Sequence, residues 1–144
     1  AEFWRTQIAP DFADVRATAM SLLEQESKLL EIVRFVGMES LSPSDRLVLE
    51  VARMIREDFL FQNAFDPDDA YTTPKKQYGI LKAIISFYEA GLKVIEDEEF
   101  EFKKLSESPI VGELAKAKDI PNGEDEQFAA LTSKVEKEVL ALAK

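Results

Sequence analysis

The stretch DFLFQNAFDPDDAYTTP, residues 58–74, gathers the side chains of this 144-residue chain best suited to holding a ligand. Phe61, Phe65 and Tyr71 offer π-faces, Ala64 a small apolar surface, and Gln62 and Asn63 amides that both donate and accept hydrogen bonds. Two arrangements use such a set. It can wall a pocket for a planar ring such as adenine, by stacking plus amide hydrogen bonds. Or it can close an apolar satellite cluster beneath a loop. Phe59 keeps step with the core face of the preceding helix. Phe61, two residues on, points roughly 200° around that helix and cannot share the face.

Other chemistry is scarcer. The chain has no histidine and no cysteine, so the commonest general base, the commonest transition-metal ligand, thiolate sites and disulfides are all missing. Asp66, Asp68 and Asp69 put oxygen donors in a loop, but without the glycine and distal glutamate of a calcium-binding hand, and no metal site is expected there. The acidic run IEDEEFE, residues 95–101, reads as a solvated face. Lys75 and Lys76 stand at a helix start, where the aspartates of the preceding loop are their expected partners. The five glycines are scattered and make no phosphate-cradling loop, so no catalytic residue is expected in these 144 positions. A net charge of −10 argues against nucleic acid, which needs clustered Lys and Arg, and suits solubility or a basic partner. No apolar run approaches the ~20 residues of a membrane span, and no signal peptide pattern opens the chain, so direct membrane insertion is not expected. An initial Ala1 suggests a piece of something longer.

The elements that must position these groups are helical. Phe12, Val15, Ala19, Leu22, Leu29, Val33 and Val36 follow three-four spacing, and Gly37 can cap that helix. Ser42-Pro43-Ser44-Asp45 opens a second helix, with Asp45 able to complete a capping box. Val48, Val51, Ala52, Ile55 and Phe59 share one side of it, and turn formers stop it near Phe61. Thr73-Pro74 opens a third helix carrying Tyr78, Leu81, Ile85, Tyr88, Leu92 and Ile95. The stretch EDEEFEFKKLSES is a short helix or an irregular connection. Ser108-Pro109 starts a short helix that ends before Pro121, Asn122-Gly123 is a turn, and Phe128, Leu131, Val135, Val139 and Leu142 line a last helix. With no sheet signal and no repeat, the fold class is all-α, a bundle of about five helices with short loops.

These residues also carry a resemblance. LLEIVRFVG, DRLVLEVARMIREDFLFQNAF and DAYTTPKKQYGILKAI, continuous from Ser21 to Tyr88, resemble the C-terminal helical domain of the catalytic A subunit of archaeal and vacuolar-type rotary ATPases. IPNGEDEQFAALTSKVEKEV resembles the looser tail of that domain. The resemblance implies one domain over 1–144, a fragment of a longer catalytic subunit, with a main bundle at about 10–96 and a tail at 97–144. It implies that Phe61, Gln62, Asn63, Ala64, Phe65 and Tyr71 belong to an adenine pocket in the intact subunit, with Ala64 and Phe65 both open as the main ring contact. MESLSPSDRL holds the place of the acidic tip that touches the rotating shaft in the related F-type β subunit, with fewer acids. Glu39, Ser40, Leu41, Ser42, Pro43, Ser44 and Asp45 are then the rotor-facing tip. The implied cofactor is ATP or ADP with magnesium in the intact subunit, with none held by this piece alone, which lacks the phosphate loop and should not hydrolyse ATP. The implied partners are the subunit's own upstream nucleotide-binding domain, B subunits in an alternating hexamer and the central stalk, on the cytoplasmic face of a membrane. A free-standing helical interaction module, docking an amphipathic partner in a groove, is the alternative.

Overall fold

Three helices of the chain begin with the same device, a hydroxyl side chain followed by proline. A computed structural model describes residues 9–60 and 73–143. In it Ser42, Thr73 and Ser108 each sit in extended backbone, and their Oγ atoms accept the N–H of Asp45 (3.2 Å), Lys76 (3.1 Å) and Ile110 (3.4 Å). Pro43, Pro74 and Pro109 fill the first helical position, where no N–H is needed. Each cap contributes about 1 kcal/mol and fixes where its helix starts.

The helices are α1 (Phe12–Val36), α2 (Pro43–Met54), α3 (Pro74–Val94), α4 (Phe102–Ser106), α5 (Pro109–Ala115) and α6 (Asp125–Ala141). A 3-10 turn, Met38–Ser40, joins α1 to α2, and another, Ala117–Asp119, follows α5. No strand occurs among the described residues, so the all-α bundle stands. The stretch before α4 resolves as an irregular turn that then becomes a five-residue helix. α3 is the axis. Ile80, Leu81, Ala83, Ile84, Ile85, Phe87, Ala90 and Val94 are buried almost all around it, because α1 and α2 cover one side and α6 the other. Two glycines allow the close approach. A Cβ on Gly79 would stand 2.5 Å from the Phe128 ring of α6, and one on Gly91 would stand 3.0 Å from Leu47 of α2 and 3.2 Å from Leu105 of α4. Leu105, Ile110, Leu114, Ala117, Phe128, Val135 and Val139 belong to the same core as α1–α3.

Two positions depart from the spacing argument. Val36 continues the α1 stripe but is 60% exposed, because the buried face of α1 ends at Leu29 and the helix runs on past its partners. Phe59 packs against the core yet is only half-buried, and Asp58 beside it is buried. The reason is winding: α2 does not continue as an α-helix but as a π-turn, Ile55–Leu60, in which each turn takes up more residues and successive side chains fall behind the α phase.

Candidate functional site

The end of α1 and the start of α2 form an ordered tip. Gly37 turns the chain with φ +87°, a conformation few side chains adopt, and its N–H closes α1 on the Val33 carbonyl at 2.9 Å. A Cβ there would also meet the Glu39 carboxylate at 2.7 Å. The Ser40 hydroxyl donates to the Gly37 carbonyl (2.8 Å) and the Arg46 guanidinium to the Met38 carbonyl (3.2 Å). Of the tip residues, Glu39, Ser40, Ser42, Pro43 and Ser44 are exposed, Asp45 is half-buried and Leu41 turns into the core as an anchor. The expected capping box is half present: the Asp45 N–H reaches Ser42, with no return bond from the Asp45 carboxylate among the described residues.

Beside this tip the structure brings together Val36, which spacing assigned to the core stripe, and Ile32, Phe35 and Met38, which spacing alone passed over. Phe35 is 85% exposed, with Ile32, Val36 and Met38 around it all exposed. Seven residues end to end thus carry four large apolar groups in water. The signal was available, since Ile32 and Phe35 sit off the three-four stripe that fills the core, and apolar residues off the stripe at a helix end need another partner.

The adenine-pocket candidates Phe61, Gln62, Asn63, Ala64, Phe65 and Tyr71 follow α2 and its π-turn in sequence and fall outside the described residues. On the entry side, Arg56 of the π-turn makes a fork with Glu26 of α1: Nε to Oε1 at 3.0 Å and Nη2 to Oε2 at 2.7 Å. Glu26 is buried and Arg56 half-exposed, and the pairing holds the guanidinium's pKa above its ordinary value. Arg53 bridges Glu50 and Glu57 on the same helix. Asp58, 5% exposed, is held above the ordinary carboxylate range by burial, against the opposing pull of the Arg53 and Lys118 charges.

On the exit side, Asn122 Oδ1 accepts the Thr73 N–H (3.2 Å) and lies 3.4 Å from the Thr73 hydroxyl. Asp66, Asp68 and Asp69, the partners expected for the two lysines at the start of α3, lie outside the described residues. Lys76, buried, donates from Nζ to the Lys118 carbonyl at 2.6 Å, and Lys75 pairs with Asp125 at 3.8 Å. The turn after α5 returns the chain to the start of α3 and supplies that Lys118 carbonyl.

A groove between α3 and α6, about 380 Å³, is lined by Tyr78, Gly79 and Lys82 on one side and by Phe128, Ala129 and Thr132 on the other. Two of its polar groups, Tyr78 and Lys82, are engaged. The Tyr78 hydroxyl donates to Asp11 (2.7 Å) and Lys82 pairs with Asp11 (2.6 Å). Burial pushes the Asp11 carboxyl up, but those two bonds outweigh it and hold its pKa below ordinary. Among the described residues no group of three acidic side chains could hold a metal ion, and no helix is long and apolar enough to cross a membrane.

Residues 1–104 match the family described as the C-terminal domain of V and A type ATP synthase. The V-type ATP synthase alpha chain of Thermoanaerobacter pseudethanolicus is 41% identical over 138 residues, which cover 96% of this chain and 22% of the relative. The A subunit of the A-type ATP synthase of Staphylothermus marinus is 40% identical over 144 residues, 99% of this chain and 24% of the relative. Its counterpart in Methanosphaera stadtmanae is 45% identical over 124 residues, 86% and 21%. The chain therefore spans about a fifth to a quarter of the length of the curated relatives it matches.

Proposed function

The chain belongs to the family of C-terminal domains of V- and A-type ATP synthases, and from that membership we propose that it is the lever of a catalytic A subunit, carrying movement between a nucleotide at one end and a rotor at the other. α2 and its π-turn run from Pro43 to Leu60. At ~1.5 Å per residue they hold Leu60 about 25 Å from the tip. Phe61, Gln62, Asn63, Ala64, Phe65 and Tyr71 would wall the adenine of ATP or ADP bound to the upstream domain of the same subunit. Glu39, Ser40, Ser42, Pro43 and Ser44 would meet the central stalk, with Leu41 holding them in place. B subunits would alternate with the parent subunit in a peripheral head.

The observation that carries this reading is the tip. An ordered turn flanked by exposed Ile32, Phe35, Val36 and Met38 suits a surface made for contact. The five scattered glycines make no phosphate-cradling loop in these 144 positions. Phosphate positioning and the metal would come from outside this piece, and an adenine wall alone provides neither. The isolated chain would therefore bind nucleotide feebly and leave ATP intact.

The test is made in the intact complex. Phe35→Ser should leave ATP affinity within twofold while lowering the ions moved per ATP hydrolysed. Phe65→Ala should do the converse, raising KM for ATP. A Phe35→Ser complex with full coupling would sink the tip reading, and a Phe65→Ala complex with unchanged affinity would sink the adenine wall.

A further inference from the structure

We propose that Arg46 is a positioning residue for the tip: by holding the Met38 carbonyl, its guanidinium fixes the turn that presents Met38 beside the apolar end of α1. The inference rests on the reading above, in which a partner meets the tip. It adds a half-buried residue outside Glu39–Asp45 that acts through a backbone carbonyl.

The connection between α1 and α2 has few bonds of its own. α1 closes at Gly37, and Ser42 with Pro43 starts α2, which leaves the 3-10 turn Met38–Ser40 and Leu41 between two fixed ends. Within it the Ser40 N–H reaches the Gly37 carbonyl at 3.4 Å and the Leu41 N–H the Met38 carbonyl at 3.0 Å. Hydrogen bonds in such turns have poorer geometry than those of an α-helix. Arg46 adds a tie from outside. Its own N–H bonds the Ser42 carbonyl at 3.0 Å, so it belongs to the first turn of α2, and Leu47 after it is fully buried. Helical side chains lean toward the N-terminus of their helix, which aims this one back over eight residues at Met38. The Met38 carbonyl thus accepts twice, from the Leu41 N–H at 3.0 Å and from Arg46 Nη2 at 3.2 Å.

The use made of this arginine differs from that of its neighbours in α2 and the π-turn. Arg53 and Arg56 pair with carboxylates, whereas Arg46 forms no ion pair among the described residues. Its charge-assisted bond goes to backbone instead, so what it fixes is the position of the chain. Fixing matters because of what the turn carries. Phe35 and Val36 are set by α1 itself, but Met38, also exposed, is set by the turn. A contact surface ordered in advance loses less entropy on docking than one that the partner must order. Arg46 therefore extends the ordered apolar surface past the end of α1.

The experiment compares Arg46→Met, which keeps an apolar stem and removes the donors, with Arg46→Lys, which keeps a charged donor. Two readouts are taken: amide hydrogen exchange over residues 38–41 in the whole parent subunit, and ions moved per ATP, with KM for ATP, in the intact complex. In Arg46→Met, exchange over 38–41 should quicken about fivefold, as expected for the loss of one hydrogen bond, with the rest of α1 and α2 unchanged. Ions moved per ATP should fall while KM stays as it was, and Arg46→Lys should restore both readouts. Unchanged exchange over 38–41 would overturn the proposal. So would exchange that quickens equally along α1 and α2, the mark of a general loss of stability. Phe35→Ser separates this inference from the reading it rests on. Faster exchange with full coupling in Arg46→Met, beside an uncoupled Phe35→Ser complex, would overturn the role of Arg46 alone. Full coupling in both would overturn the tip reading itself.

Discussion

Asp58 is the residue where composition and position conflict most. A carboxylate in the π-turn continues the line of Leu47, Val51 and Met54 of α2, all fully buried. Burial raises its pKa, so over a window that opens at the ordinary carboxylate value of about 4 and runs upward, the folded chain binds more protons than the unfolded one. Stability therefore falls as pH rises through that window, the reverse of a salt-bridged aspartate. Asp58→Asn, which keeps the shape and removes the charge, should raise the melting temperature at pH 7, with the gain shrinking as pH falls through the window. Thermal melts at pH 7 and pH 4 measure this; an Asn variant less stable at pH 7 would show that Arg53 and Lys118 outweigh burial. At this scale the sequence was readable where chemistry is local. Ser42, Thr73 and Gly37 announce caps by their types and neighbours. It was unreadable where partners are distant: nothing in the string PKKQY says that Lys76 finds a carbonyl 42 residues later.

The six helices show the same division one level up. Spacing and stop signals placed all the long ones, since an amphipathic stripe and a Ser-Pro start are written within a few residues. The π-turn was not readable, because IREDFL shows no break in its helical pattern and the winding answers to packing against α3 and α5. The fork between Glu26 and Arg56 belongs to this scale, because it ties α1 to that turn across 30 residues. Removing one partner differs from removing both. Arg56→Met leaves Glu26 buried without its cation and should cost about 2 kcal/mol, below the range for a fully buried pair because Arg56 is half-exposed. Glu26→Leu combined with Arg56→Met removes the buried charge as well and should come within about 1 kcal/mol of the original chain. Denaturant melts of the three proteins decide it. A double variant as unstable as the single one would mean that the two side chains do not act as a pair.

The whole molecule raises a question that the ends of the candidate site do not. A lever of the kind proposed would transmit force only if it were stiff, and its stiffness would depend on the part of the chain that looked most like an appendage. α4, α5 and α6 contribute Leu105, Ile110, Leu114, Phe128, Val135 and Val139 to the core, and α6 forms the most extensive helix contact in the molecule, along α3. Each such side chain is worth roughly 1.5–3 kcal/mol by burial, so together they supply on the order of 10 kcal/mol. That is comparable to the ~5–15 kcal/mol that holds a typical domain folded. Gly79 makes the same point sterically, since α3 keeps a bare Cα where the Phe128 ring lies against it. A piece ending at Glu96 should therefore lose its cooperative melt by circular dichroism and bind hydrophobic dyes, while residues 1–144 melt in one step. If the shorter piece melted cooperatively at the midpoint of the longer one, α1–α3 would be a lever in their own right. The contacts from α6 and the turn before it would then be decoration on a bundle already stiff enough to move.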